Sequence, residues 1–181
     1  DQRAAAITTG KIARMEFAGG NFDRAETIVR QDVLPRLRDE KDLREYALAW
    51  ILVADVRVAR GQFDPAQVIL ENEVLPPLRA LRDQAAMAVA LSRAAHILRR
   101  KREYAAALDM HRNQVLPVFV RTGNMESQAA SLAEIADILL IQGQNDEAIR
   151  ILRDEELPIH ERSGIPHRAT TCRARLAFAL H

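Results

Sequence analysis

The sequence predicts an all-α chain in which pairs of antiparallel helices repeat and stack as a solenoid. Three observations support this fold class: the composition favours helices, one motif returns every 41 residues, and apolar side chains follow helical spacing. Only 4% of the 181 residues are aromatic, whereas strands are rich in aromatic and β-branched residues. With 48% hydrophobic residues, the chain can bury a continuous core.

A Leu-Pro pair marks the repeat. It occurs four times at an interval of 41 residues, and alanine recurs at the same interval at two further positions. A fixed period over four units is the signature of a repeat architecture. We therefore predict a single domain, 1–181, whose units span about residues 3–43, 44–84, 85–125 and 126–166, with a terminal helix at 167–181. The recurring residues are Leu34-Pro35, Leu75-Pro76, Leu116-Pro117 and Leu157-Pro158; Ala25, Ala66, Ala107 and Ala148; and Ala13, Ala54, Ala95, Ala136 and Ala177.

Each unit is predicted to contain a helix A, a tight turn and a helix B. In three units the turn has Gly, which suits a left-handed cap ending helix A, followed by Asp, which suits the N-cap of helix B. These turns are Gly20-Asn21-Phe22-Asp23, Gly61-Gln62-Phe63-Asp64 and Gly143-Gln144-Asn145-Asp146.

Two features qualify this pattern. The proline in helix B has no amide hydrogen, so it should kink the helix or begin a new turn. The third unit carries Arg99-Arg100-Lys101-Arg102-Glu103-Tyr104 in place of the glycine turn. Its helix A must therefore end with a side-chain cap, a water molecule or a strained residue.

The repeated alanines, the turn glycines and the aromatic residues Phe22, Phe63 and Tyr104 resemble the tetratricopeptide repeat family, which places small residues where its helices pack closely. That resemblance implies a right-handed superhelical solenoid of four repeats plus a C-terminal helix. The family's usual unit has about 34 residues. The longer unit and Glu155-Glu156-Leu157-Pro158 look like a bacterial long-repeat subclass, whose members often join the repeats to signalling, nucleotide-hydrolysing or effector domains. Because the chain begins at Asp1 without a leader, we expect it to be part of a longer protein.

The resemblance also implies that helix A lines an inner groove. One groove position is polar in every unit, and we hypothesise that this column orients an extended or helical peptide whose apolar side chains fill the rest. Two alternatives remain open: the polar residues pair with neighbouring repeats or water, or another domain covers the groove. The column is Arg14, Asp55, His96 and Asp137, and the full set of candidates adds Phe17, Leu48, Val58, Arg99 and Leu140.

The charge distribution argues against nucleic acid and membrane partners. Lys and Arg total 26 against 25 for Asp and Glu, so the net charge of +1 creates no field that attracts polyanions. The basic run 99–102 has no interleaved aromatic residues, and a solvated turn explains it more simply than a phosphate or RNA site. No apolar run approaches the roughly 20 residues that span a bilayer. The lone Cys172 cannot form an intrachain disulfide, so we expect a cytoplasmic location.

No motif predicts an enzyme, a cofactor or a metal site. The histidines lack HExxH or paired Cys/His spacing, and Cys172 is expected to be a buried or edge thiol. The Arg153–Glu156 run is interpreted as surface ion pairing along a helix. His111 and His160 align with apolar positions of other units, so we expect them to be packing residues. The five histidines are His96, His111, His160, His167 and His181; His160 and His167 flank a turn at Ser163–Pro166.

The predicted function is a scaffold or sensor module that binds a protein or peptide in the groove and is coupled to an effector domain in the same longer chain. The alternative is self-assembly, because the ends of an open solenoid can stack into homo-oligomers. Nucleic-acid binding through Arg99–Arg102 is the weakest of the three hypotheses.

Overall fold

The computed structural model describes residues 2–163 and 166–180, with the side chain of Pro166 left aside. Gly164 and Ile165 of the turn predicted at Ser163–Pro166 lie outside the described residues, as does His181. All regular structure in the described part of the chain is helical, which confirms the predicted fold class.

Helix A of the successive units is a 17-residue α-helix. Helix B is a continuous helical stretch in which a short π-helical segment separates two α-helices. The helices are α1 (Gln2–Ala18), α2 (Phe22–Ile28), α3 (Leu34–Asp39), α4 (Leu43–Ala59), α5 (Phe63–Ile69), α6 (Leu75–Ala80), α7 (Gln84–Arg100), α8 (Tyr104–Met110), α9 (Leu116–Thr122), α10 (Met125–Ile141), α11 (Asn145–Arg150), α12 (Leu157–Ser163) and α13 (Pro166–Ala179). The π-helical segments are Val29–Val33, Leu70–Val74, His111–Val115 and Ile151–Glu156.

The π-helical segment explains how helix B accommodates its proline. The amide of Leu34 donates to the carbonyl of Val29, five residues back, and the leucine of each later Leu-Pro pair does the same. Proline cannot donate to the carbonyl four residues back and its ring clashes with that carbonyl, so the wider π turn relieves the conflict. The prediction that proline begins a new turn is confirmed, since Pro35 lies in the first turn of α3.

The turns between helices depend on left-handed backbone positions. Gly20, Gly61 and Gly143 end helix A with φ of 81°, 74° and 73°. In the third unit Arg102 takes this position with φ of 65°, which confirms the expectation of a strained residue there. The left-handed conformation costs a residue with a Cβ atom about 1–2 kcal/mol.

The predicted aspartate caps of helix B are wrong. Helix B begins at Phe22, Phe63 and Asn145, so Asp23, Asp64 and Asp146 lie inside its first turn and the residues that precede the helix make no side-chain cap. The connection after the glycine is too short to leave Asp outside the helix, although its charge still suits the positive helix start. Side chains cap helix A instead: Asp42 accepts from the amide of Glu45, Asp83 from that of Ala86, and Asn124 from that of Ser127.

The chain forms two compact units, Asp1–Ile97 and Leu98–His181. In unit 1 the core lies between helices A and B, where Ala13, Ala25, Ala54, Ala66 and Ala95 are buried. Unit 2 buries Ala107, Ala136 and Ala148 in the same way, whereas Ala177 of α13 is exposed. Small side chains at these positions allow close helix packing, as the resemblance implied. The grouping of all repeats into one domain stays a prediction.

None of the helices within the described residues has the length and apolar character required to cross a membrane.

Candidate functional site

The polar column of unit 1 is held by charge pairing. Arg93 Nε lies 3.0 Å from Asp55 Oδ1. Burial raises the pKa of Asp55, and the charges of Arg93, His96 and Arg14 act in the opposite direction. Three predicted site residues, Arg14, Asp55 and His96, therefore lie within electrostatic reach of one another. This pairing is what the alternative interpretation of the column expected.

Unit 1 offers little space for a ligand at these residues. Phe17, Leu48 and Val58 are half-buried on α1 and α4. The cavity beside Arg14 has a volume of about 60 Å³, the share of roughly two water molecules. It is too small for a peptide side chain of appreciable size.

Unit 2 contains a larger groove between α10 and α13, with a volume of about 470 Å³. One part of its wall is apolar, and Phe178 there is 77% exposed. The rest of the wall is charged. The groove brings together the predicted residues Arg99, Asp137 and Leu140, which makes it the best candidate site. We call it the α10–α13 groove; its lining residues are Arg99, Asp137, Leu140, Ile141, Thr171, Ala174, Arg175 and Phe178.

The charged wall is an ion-pair network. Arg99 Nε lies 2.8 Å from Glu134 Oε2, and Arg175 Nε lies 3.5 Å from Asp137 Oδ1. Burial raises the pKa of Asp137; the charge of Arg175 opposes this shift and that of Glu134 adds to it. The Arg175 contact is long for a charge-assisted hydrogen bond, so Asp137 can accept a shorter bond from a ligand.

A second cavity of about 260 Å³ adjoins the groove, since Thr171 and Arg175 line both. Its central feature is Glu156, which is only 1% exposed. Glu156 Oε1 lies 3.1 Å from His160 Nε2 and 3.4 Å from Arg175 Nη1. Glu156 Oε2 is buried and has no hydrogen-bond partner in the described part of the chain. We call this space the Glu156 cavity; Glu126, Ala129, Ala130, Ala133 and Arg168 complete its lining.

The interpretation of Arg153–Glu156 as surface ion pairing holds only in part. Arg153 pairs with Asp154, and Glu155 with Arg150, on the surface. Glu156 is buried instead, because it ends the π-helical segment on the core-facing side of helix B.

The 41-residue register could have identified two residues that sequence reasoning missed. Glu156 occupies the position of Val33, Val74 and Val115, all of which are buried. Phe178 occupies the position that the polar column fills with Asp137. A departure from the register, rather than a motif, is the signal in both cases.

The two aligned histidines are packing residues, as predicted. His111 is fully buried with Nδ1 3.0 Å from Ser131 Oγ, and His160 is buried against Glu156. Among residues 2–163 and 166–180, no group of three or more potential ligands could hold a metal ion.

Cys172 is a buried thiol that donates to the carbonyl of Leu152. Burial, reinforced by the charge of Glu156, raises its pKa to about 12. A thiol with such a pKa is almost entirely protonated at neutral pH, so it is a poor nucleophile. The expectation of a buried thiol is confirmed.

The basic run 99–102 has local partners. Arg99 pairs with Glu134, Lys101 Nζ lies 3.4 Å from Glu103 Oε1, and Arg102 forms the left-handed turn. These roles agree with its interpretation as a solvated turn.

Comparison with known proteins shows the fold. No protein-family model matches the chain, and no curated protein matches it at significant similarity. Among solved structures, it is similar to crystal structures of the nearly identical TPR-like repeats of a kinesin light chain-like protein from Podosopora anserina. For a single-substitution variant of that protein, identity is 21%, TM-score 0.73, and coverage 99% of this chain and 86% of the other. A second structure gives 21%, 0.72, 98% and 86%. The chain therefore has a TPR-like helical-repeat fold.

Proposed function

We propose that the chain is a non-catalytic interaction module that binds a peptide segment of a partner protein in the α10–α13 groove. The observation that carries this proposal is the combination of an apolar wall and an ion-paired wall around about 470 Å³ of open space.

The apolar wall supplies binding free energy. Leu140, Ile141 and Phe178 can cover an apolar side chain of the peptide, and burying such a side chain fully contributes about 1.5–3 kcal/mol. The charged wall, with Arg99, Asp137 and Arg175, sets the orientation of the segment more than its affinity. TPR-like repeats suit this task because stacked helix pairs present extended binding surfaces.

Three finer proposals accompany this function. We propose that binding is coupled to a signalling or effector domain of a longer cytoplasmic protein, and that the chain belongs to the bacterial long-repeat subclass. Glu155-Glu156-Leu157-Pro158 supports the subclass. The polar column of unit 1, from Arg14 to His96, is proposed to extend the binding surface. Its ion pairs support a smaller contribution than that of the α10–α13 groove.

A peptide-display selection against the immobilised chain tests the groove. Selected peptides should carry an apolar residue, and Phe178→Ser should weaken their binding about tenfold, which corresponds to about 1.4 kcal/mol. The matched control is Val120→Ser, which removes an exposed apolar side chain from α9, outside the groove. Equal loss in both variants, or no selected binder, would contradict the proposal.

One observation favours the second function, self-assembly. Phe178 and Leu180 are 77% and 65% exposed near the end of the described chain. In a light-scattering concentration series, self-assembly predicts a mass that rises with concentration and falls back in Phe178→Ser, whereas peptide binding alone predicts a constant monomer mass.

A further inference from the structure

We propose that the Glu156 cavity receives a basic side chain, a lysine, of the same peptide that lies in the α10–α13 groove. This inference rests on the proposed function and names the chemistry of the partner.

The first support is a buried carboxylate where the fold requires none. The equivalent residues Val33, Val74 and Val115 pack in the core of their units. A carboxylate in such a position loses its hydration and costs several kcal/mol unless it is paired and hydrogen-bonded. Glu156 Oε2 has no partner in the described part of the chain, so an entering N–H donor would recover part of this cost.

The second support is local charge. The ion pairs of the groove and the Glu156 cavity contain four carboxylates and three guanidinium groups, which leaves one excess negative charge when His160 is neutral. An ammonium group balances this charge, whereas a carboxylate would increase the number of unpaired ions. The carboxylates are Glu126, Glu134, Asp137 and Glu156, and the guanidinium groups are Arg99, Arg168 and Arg175.

The third support is geometry. Thr171 and Arg175 line both the groove and the Glu156 cavity, so a segment in the groove passes the cavity opening. A volume of about 260 Å³ equals the share of roughly nine water molecules, which is room for the four-carbon stem and ammonium of lysine. Ala129, Ala130 and Ala133 line the cavity without filling it.

The held contacts of Glu156 leave this acceptor available. His160 and Arg175 both approach Oε1, and Arg175 divides its contacts between Glu156 and Asp137 at 3.4 and 3.5 Å. A lysine ammonium can therefore donate to Oε2 without displacing either neighbour.

Two matched probes test the cavity in the whole chain. N-acetyl-lysine methylamide carries the ammonium, and N-acetyl-norleucine methylamide has a similar stem without it. In a ¹⁵N NMR titration, the lysine probe should bind at least about tenfold more tightly than the norleucine probe and shift the amides around Glu156 and Thr171.

Substitutions complete the test. Glu156→Gln should weaken the lysine probe at least about tenfold, because a charge-assisted hydrogen bond is lost. Glu156→Val, which introduces the residue of the other units, should abolish the preference for lysine while the chain stays folded by circular dichroism. The control is Glu147→Gln, which removes a carboxylate from α11 outside the cavity and should leave binding unchanged.

Equal binding of the two probes, or unchanged lysine binding by both Glu156 variants, would overturn the inference. Peptides from the display selection separate it from the proposed function. If they depend on Phe178 but tolerate lysine-to-norleucine replacement, the groove stands and the inference fails. If the lysine probe binds but no peptide depends on Phe178, the peptide assignment fails for both.

Discussion

His111 Nδ1 lies 3.0 Å from Ser131 Oγ at a position where both side chains are buried and the other units have apolar residues. In the 41-residue register His111 matches Val29, Leu70 and Leu152, and Ser131 matches Ala49 and Ala90. The third unit has thus exchanged an apolar contact for a polar pair.

Removing one partner of this pair should cost more than removing both. Ser131→Ala takes a hydrogen bond from a buried imidazole and should lower the free energy of unfolding by about 1–3 kcal/mol. The double variant His111→Leu, Ser131→Ala restores the residue types of the other units and should recover most of that loss. Urea denaturation of both single variants and the double variant measures the coupling, and strictly additive losses would contradict the account.

The left-handed turn at Arg102 predicts a stabilising glycine. With φ of 65°, Arg102→Gly should relieve the Cβ strain and raise the free energy of unfolding by about 1 kcal/mol. The same replacement at Arg79, an exposed residue within α6, should lower it by about 1 kcal/mol. Thermal or urea melts that show both variants destabilised would refute the assignment of strain to Arg102.

The observed caps predict which aspartates matter for stability. Asp83 accepts from the amide of Ala86 at 2.9 Å and from Arg44 at 2.8 Å, so Asp83→Ala should cost about 1 kcal/mol. Asp146→Ala, which removes a first-turn charge without a cap, should cost only a few tenths. If chemical denaturation gave the larger loss for Asp146→Ala, the corrected cap positions would be wrong.

Opposite pKa shifts predict opposite pH dependences. Burial raises the pKa of Glu156 despite the opposing charge of Arg175, so the folded state holds its proton longer than the unfolded chain does. Stability from this group is therefore present at low pH and is lost as pH rises from about 4.3 through the raised pKa. The amide of Ala86 lowers the pKa of Asp83, so its contribution is present at neutral pH and is lost as pH falls.

Stability curves of two variants measure these signs. Relative to the parent chain, Glu156→Gln should gain stability as pH rises through that window. Asp83→Asn should lose stability with rising pH, because the parent regains its ionised cap. Parallel curves for the two variants would show that the two carboxyl groups do not differ in this way.

The sequence predicts the helices well because their signals are local and repeated. The alanines at 13, 54 and 95 are buried as predicted, since a 41-residue period leaves no freedom in which face they occupy. The cap positions fail by one or two residues, because the length of a turn depends on where the glycine takes up its left-handed conformation.

The candidate site is predicted less completely. Asp137 and Leu140 follow from the register of helix A, and both line the α10–α13 groove. The burial of Glu156 does not follow from local periodicity, because the π-helical segment rotates helix B just before it. Its acidic neighbours Asp154 and Glu155 are on the surface, and sequence pattern alone assigns all three alike.

Amide shift mapping of a selected peptide on the ¹⁵N-labelled chain tests the central claim most directly. Binding in the α10–α13 groove predicts that the largest shifts fall within residues 137–141 and 171–178, and that Phe178→Ser abolishes them. Shifts concentrated on the exposed face of helix B, or unchanged in Phe178→Ser, would contradict the groove as the binding site.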